Sequence, residues 1–176
     1  MKALLLLFSF VFFLNSCASI PKPKENTVQM STAATGIFKA KTKVRNIDGF
    51  FRISPTNSTI DIASPLGFAL YGIYINGNDL YVKDYMSGVK FTNADLEKLN
   101  IPKKDSILLY ENNLIYFTQN FFNICDHNDN SNIHIIACEN VSNYRLPKVV
   151  EFVHKDDLLK LTMEKMRLEN LQKEKQ

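Results

Sequence analysis

Three cysteines are the residues of this 176-residue chain best suited to covalent chemistry, and Cys17 stands in a distinctive setting. It follows the apolar run Ala3–Phe13, which is preceded by Lys2 and closed by Leu14-Asn15-Ser16. A positive charge, an apolar stretch and a small-residue end are typical of a secretory signal peptide. An uncleaved anchor helix is the alternative, but the run is shorter than the ~20 residues that span a bilayer. The sequence therefore predicts a signal peptide over residues 1–16.

Leu14-Asn15-Ser16-Cys17 resembles the lipobox of bacterial lipoproteins. The resemblance implies that the Cys17 thiol receives a diacylglyceryl group, that the signal is removed, and that the new amino terminus is acylated, for example with palmitate. At ~0.8 kcal/mol per buried CH₂, two or three chains anchor a protein firmly. Ala18, and not Asp, follows the cysteine. By the sorting rule of enterobacteria-like cells, this implies a lipid-anchored protein of the outer membrane that faces the periplasm.

The two remaining cysteines, Cys125 and Cys138, would then lie in an oxidising compartment. The polar run His127–Asn132 between them has turn composition and could fold their flanks together. A bridge needs Cα atoms about 4.4–6.8 Å apart, which a sequence does not reveal. A disulfide and a pair of packed thiols therefore both stay open.

The remaining composition predicts neither a metal site, nor a cofactor, nor an enzyme. His127, His134 and His154 lack a ligand spacing such as H-x-x-x-H, and there is no Cys-x-x-Cys pair. A Gly-x-Ser-x-Gly nucleophile and a phosphate-binding loop are also missing from the sequence. The formal charge of +3 argues against nucleic acid as a partner, because duplex binders carry a strongly basic stripe.

Composition also divides the chain into segments. Residues 17–35 contain Pro21 and Pro23 among charged residues, which predicts an extended tether. Residues 36–164 are long enough for one domain. Residues 165–176 are densely charged, which predicts a frayed helix or a disordered end.

Alternation of apolar and polar side chains predicts an antiparallel meander. Phe38 and Ala40 fall on one face of the first strand, whereas Lys39 and Lys41 fall on the other. Asn46-Ile47-Asp48-Gly49 has the composition of a turn. The strands are predicted over residues 36–45, 50–54, 58–64, 68–75, 79–83, 89–92, 133–138, 148–153 and 159–163.

Two stretches favour helices. Residues 92–99 carry a polar cap and two leucines three positions apart. Residues 105–122 show apolar pairs that recur every seven positions, which favours a helix, although a strand over part of the segment stays open.

The order of these elements resembles that of LolB and the wider group of LolB-like lipoproteins. The likeness is carried by Gly36-Ile37-Phe38, by Ile60–Gly67 running into an apolar strand, by the hairpin Asn76–Tyr81, and by Leu146-Pro147 before a closing hairpin. The resemblance implies a mainly β (α+β) fold, in which a curled antiparallel sheet forms an unclosed half-barrel with covering helices.

The same resemblance implies a function in lipoprotein localization. Such a protein acts as a chaperone in protein transport: it accepts lipoproteins from the carrier LolA, shields their acyl chains in an apolar cavity and delivers them to the outer membrane. We expect it to act as a monomer. The alternative is a structural or scaffold lipoprotein of the envelope that transfers no lipid.

Two groups of residues become site candidates. Leu66, between Pro65 and Gly67, matches the apolar residue that the family uses for membrane delivery, although burial of Leu66 in the core is an open alternative. Apolar strand residues are candidates for the acyl cavity, or simply for the core: Phe38, Phe51, Ile60, Ile62, Leu70, Tyr74, Leu80, Val82, Phe152 and Leu161.

Overall fold

The computed structural model describes residues 31–43, 45–92, 94–95 and 107–171. These residues form nine strands, one 3₁₀ turn and one α-helix of more than a single turn. The elements are β1 Ser31–Lys41, β2 Asn46–Ile53, β3 Asn57–Ala63, β4 Ala69–Asn76, β5 Asp79–Asp84, β6 Lys90–Phe91, the 3₁₀ turn Ile107–Tyr110, α1 Glu111–Asn120, β7 Ile133–Val141, β8 Tyr144–His154 and β9 Asp157–Leu171. Among the described residues, no helical segment combines the length and the apolar character needed to traverse a bilayer.

All nine strands belong to a single antiparallel sheet with the order β6-β5-β4-β3-β2-β1-β9-β8-β7. Strands β1 to β6 form one meander and β7 to β9 form another, and the two meanders join where β9 pairs with β1. The outermost strands β6 and β7 do not pair with each other, so the sheet stays unclosed. The predicted fold class, a mainly β protein with an unclosed half-barrel sheet, is confirmed.

The helix α1 covers the apolar face of the sheet. Leu114, Phe117 and Phe121 recur at three- and four-residue spacing and are buried. The ring of Phe117 packs edge-on against Phe152 of β8 at 5.4 Å between centroids. On the other side, Phe121 lies 6.2 Å from Phe51 of β2. The helix predicted over residues 105–122 is thereby confirmed, with a 3₁₀ turn in front of it.

The turn predicted at Asn46–Gly49 is wrong, because these residues begin β2 and the chain reverses at Thr42–Arg45 instead. Asparagine, aspartate and glycine usually mark turns. Position 49 is a glycine for another reason. A Cβ on Gly49 would lie 1.9 Å from the carbonyl oxygen of Asp61 and 2.6 Å from the Phe38 ring. Glycine is therefore required for close packing inside a strand.

The prediction of a frayed or disordered end is wrong for residues 165–171, which continue β9 and pair with the start of β1. Lys165 adopts a φ of 52°, and the pairing register shifts opposite it. This irregularity breaks the two-residue alternation, so that Met163 and Met166 are both buried although three positions apart. The two-residue alternation of apolar side chains therefore does not predict the part of β9 that follows Met163.

The boundary of the tether changes for the same reason. Residues 31–35, which were predicted to belong to the tether, lie in β1. The signal peptide, Cys17 and the tether up to residue 30 lie outside the described residues, as does most of the helix predicted over residues 92–99.

Candidate functional site

An apolar cavity lies between α1 and the face of the sheet that the helix covers. Its volume is about 30 Å³. Strands β1 to β4 and β9 form its floor, and Leu114 and Phe117 of α1 form its roof together with Ile107 of the 3₁₀ turn. All the residues that line it are apolar: Phe38, Ala40, Ile47, Phe51, Ile53, Ile60, Ile62, Ile73, Ile107, Leu114, Phe117, Leu161 and Met163. The site therefore favours hydrocarbon and supplies nothing to hold a polar ligand.

The cavity lining is less buried towards one end of the sheet, which we call the distal end. The distal end holds the turns at residues 42–45, 64–68 and 85–89, and it lies opposite the paired residues Ser31 and Leu171. Ile47 and Ile62 are half-buried lining residues at this end. Most other lining side chains are buried. A ligand would thus enter from the distal end.

The structure divides the predicted cavity residues into three groups. Phe38, Phe51, Ile60, Ile62 and Leu161 line the cavity. Leu80, Val82 and Phe152 are buried core residues that do not line it, and Leu70 and Tyr74 are half-buried residues that do not line it either.

Tyr74 corrects the prediction for β4, because it lies on the opposite face of the sheet from the cavity. Its hydroxyl hydrogen-bonds that of Tyr85 at 2.7 Å, and its ring stacks on Tyr81 at 4.9 Å. The residue of β4 that lines the cavity is the neighbouring Ile73. Strand β4 is apolar or aromatic on both faces, so its alternation alone did not tell which face is inside.

Sequence reasoning also missed the roof of the cavity. Leu114 and Phe117 belong to the predicted helix, but nothing in the helix pattern says which strands the helix covers. Ile53 and Met163 carry a signal that could have found them, since each shares the two-residue alternation of a strand neighbour that was predicted.

Two polar side chains tie α1 to the sheet. Asn113 donates from Nδ2 to the carbonyl oxygen of Val153 in β8 at 3.3 Å. Near the other end of the helix, Gln119 donates from Nε2 to the carbonyl oxygen of Gly77 at 2.9 Å and contacts the amide oxygen of Asn78 at 3.1 Å. The helix thereby bridges β8 and the β4–β5 turn and spans the open side of the sheet.

A disulfide joins Cys125, which follows α1, to Cys138 in β7. The two Cα atoms are 6.3 Å apart, within the range that a bridge requires. Arg145 of β8 also pairs with Asp126 at 3.1 Å. The carboxyl-terminal end of the helical segment is therefore fastened covalently to one edge of the half-barrel.

The turn between β3 and β4 presents two apolar side chains to solvent at the distal end. Leu66 is 83% exposed and Phe68 is 70% exposed. Ser64 closes the turn by donating its amide to the carbonyl oxygen of Phe68 at 2.8 Å, and Gly67 has the positive φ of 85° that the turn needs. Leu66 is thus outside the core, at the distal end of the sheet.

Polar chemistry is sparse around the cavity. Among the described residues, no group of three or more His, Cys, Asp or Glu side chains is placed to hold a metal ion. Burial raises the pKa of the Tyr110 hydroxyl, which Asp157 raises further. This tyrosine is neutral at physiological pH and lies in the core beside His154.

The class of protein that this geometry defines is an antiparallel half-barrel with a helix over an apolar cavity. A LolA superfamily protein from Nitrosomonas europaea, known from a crystal structure, is similar at 12% sequence identity and a TM-score of 0.35. The match covers 82% of this chain and 89% of that protein. A TM-score at this level supports no inference about function. No family model matches the chain, and no characterised protein does either.

Proposed function

We propose that this protein binds acyl chains of lipoproteins or lipids between α1 and the sheet and delivers them to the outer membrane. The observation that carries the proposal is the wholly apolar lining of the cavity beneath a helix that two polar side chains hold in place. Hydrocarbon gains about 25 cal/mol for each Å² removed from water. Acyl chains are ligands that such a surface can hold without any polar contact.

Binding requires the cavity to widen. A volume of about 30 Å³ holds roughly two water molecules, whereas ligand pockets measure about 300–1,000 Å³. The widening would come from α1, because the sheet is fixed by its ladder of backbone hydrogen bonds. The disulfide after α1 would act as the hinge, while the 3₁₀ turn and the first turn of α1 move away from Ile47 and Ile62 and break the hydrogen bond between Asn113 and Val153.

Delivery would occur at the distal end. Leu66 and its neighbours Pro65 and Gly67 are exposed there, and an exposed leucine on a turn can enter the edge of a bilayer. In this proposal Cys17 carries the lipid anchor, the protein faces the periplasm from the outer membrane as a monomer, and LolA is the carrier that supplies its cargo. The acyl chain would leave because the bilayer buries more of it than the cavity does.

A second candidate function is that of a scaffold lipoprotein of the envelope without lipid transfer. The observation that favours it is the narrow interior, beside which the large side chains of Phe117, Phe121 and Phe152 are fully buried. A half-barrel that is already packed needs no ligand. Its surface would then hold an envelope partner.

Acyl binding can be tested with paired substitutions. Organic extracts of the purified full chain would be analysed by mass spectrometry, and binding of a fluorescent fatty acid would be titrated. Ile47→Trp places a larger side chain at the half-buried mouth of the cavity, and Ile136→Trp makes the same change on β7, away from the cavity. We expect saturable binding that Ile47→Trp weakens and Ile136→Trp leaves unchanged. Absence of both extracted lipid and probe binding from the folded chain would favour the scaffold instead.

A further inference from the structure

A second exposed apolar turn stands at the distal end of the sheet, between β5 and β6. Met86 is 84% exposed and Val89 is 50% exposed. Single exposed apolar residues are common on proteins and need no explanation. These two, however, belong to one turn of five residues, 85–89, which we call the second turn. The β3–β4 turn that carries Leu66 is the first turn.

The second turn is firmly built. The carboxylate of Asp84 accepts from the amide of Met86 at 2.8 Å and from the hydroxyl of Ser87 at 2.9 Å. The amide of Gly88, which has a positive φ of 73°, donates to the carbonyl oxygen of Asp84 at 2.8 Å. Because the backbone is held in this way, the turn keeps Met86 at the surface of the protein.

Tyr85 brings the second turn beside the first. Its amide donates to the carbonyl oxygen of Leu70 at 3.0 Å, two residues after Phe68 of the first turn. Its hydroxyl donates to the carboxylate of Asp61 on β3 at 2.7 Å. Strands β4 and β5 pair as far as Tyr71 opposite Asp84, and neighbouring strands lie about 4.8 Å apart. The two turns therefore lie side by side at the distal end, and we call them together the apolar edge.

Basic side chains flank this edge. The ammonium group of Lys83 lies 5.4 Å from the ring centre of Tyr85, and that of Lys90 lies 5.0 Å from the ring centre of Tyr81. Two carboxylates lie in this region: that of Asp84 accepts hydrogen bonds within the second turn, and that of Asp61 accepts one from Tyr85. The turns carry apolar side chains, and tyrosines and lysines follow them along the strands. This order matches the layers of a bilayer, in which aromatic rings and ammonium groups lie at the headgroups.

We propose that the second turn is a membrane contact in its own right, which inserts Met86 and Val89 into an anionic bilayer beside Leu66 while Lys83 and Lys90 meet the headgroups. The proposal rests on the membrane association in the proposed function, but not on acyl binding. Hydrocarbon contact supplies the attraction, and each lysine near an anionic surface adds to it.

The experiment places a fluorophore on the full chain. Met86→Cys is labelled with an environment-sensitive dye, and Asn143→Cys, in the exposed β7–β8 turn at the opposite end of the sheet, is the matched control. The chain without an introduced cysteine gives the background from Cys17. Each protein is mixed with vesicles of phosphatidylethanolamine and phosphatidylglycerol, and separately with vesicles of phosphatidylcholine alone. Lipids that carry a quencher at known depth report insertion, and circular dichroism verifies the fold.

We expect the dye at position 86 to shift to the blue, to brighten and to be quenched from within the anionic bilayer, with a smaller response to phosphatidylcholine and none at position 143. Lys83→Gln combined with Lys90→Gln should reduce the difference between the two kinds of vesicle. No response at position 86 would overturn the proposal and would fit a protein partner instead. Equal responses at 86 and 143 would also overturn it, because they would indicate random adsorption. Insertion at 86 without fatty-acid binding would refute the proposed function and leave this inference standing.

Discussion

At the scale of single residues, Asp84 shows how one side chain shapes an exposed turn. The amide of Met86 and then the hydroxyl of Ser87 donate to its carboxylate, which lowers the pKa of Asp84 below its ordinary value. A lowered pKa means that the folded turn prefers the ionised form. The turn is therefore stabilised above the ordinary aspartate pKa of about 3.9, and the stabilisation is lost as the pH falls through the lower value of the folded state.

The first prediction concerns the protection of this turn against acid. Hydrogen exchange measured residue by residue should give protection factors for Met86 and Gly88 that hold at neutral pH and fall once Asp84 takes up a proton. Asp84→Asn cannot ionise, so its protection factors should lack this step. Protection of the same amides that stays constant down to pH 2 in the unsubstituted chain would contradict the assignment.

Residue by residue, the sequence located the cavity side of some strands and failed at others for a physical reason. Phe38 was identified because Lys39 and Lys41 alternate with it and with Ala40. Tyr74 was misplaced because β4 is apolar on both faces, and Tyr74 and Ile73 look alike without the register of β3. The exposure of Leu66 was open in the sequence, since only packing around the turn decides whether a leucine finds neighbours.

At the scale of elements, the sequence predicts where α1 and the strands form but not how they pack against one another. The helix α1 was predictable from its apolar period, but its position over β1 to β4 depends on long-range packing that no local pattern encodes. The same holds for β9, whose last residues pair with the start of β1 across most of the chain length. Local composition made residues 165–171 resemble a solvated tail, because charged side chains, which are exposed in the strand, recur there.

A second prediction follows for the bridge between Cys125 and Cys138, which lie 13 residues apart. Closing a loop of this length restricts the unfolded chain, and the entropic estimate for about 15 residues is ~3 kcal/mol. Replacing both cysteines by serine should lower the free energy of unfolding by about 2–4 kcal/mol in denaturant titrations under oxidising conditions. In reductant, the unsubstituted chain should become as unstable as the variant. Equal stability of the two proteins without reductant would show that the bridge does not constrain the unfolded state.

At the scale of the whole molecule, the first residue of β1 and the apolar edge lie at opposite ends of the sheet. Ser31 pairs with Leu171 at one end, and the turns that carry Leu66 and Met86 lie at the other. Strand β1 alone has 11 residues, which is about 37 Å at ~3.4 Å per residue. Ser31 follows Cys17 by 14 positions, and a chain of that length reaches at most ~50 Å. A lipid anchor at Cys17 therefore still allows the domain to stand on its apolar edge, but with little length to spare.

The last prediction is that the length of the tether, and not its sequence, permits this orientation. Deleting residues 19–26 leaves a reach of about 20 Å, which is too short for an upright domain. Energy transfer from a dye on Asn143→Cys to acceptors at the bilayer surface should be weak in the lipidated full-length chain and strong after the deletion. Replacing the same eight residues by glycine and serine should restore weak transfer, because reach is preserved. Strong transfer already in the unshortened chain would mean that the domain lies flat or hangs from its other end, and the apolar edge could not then be the surface through which it meets the membrane.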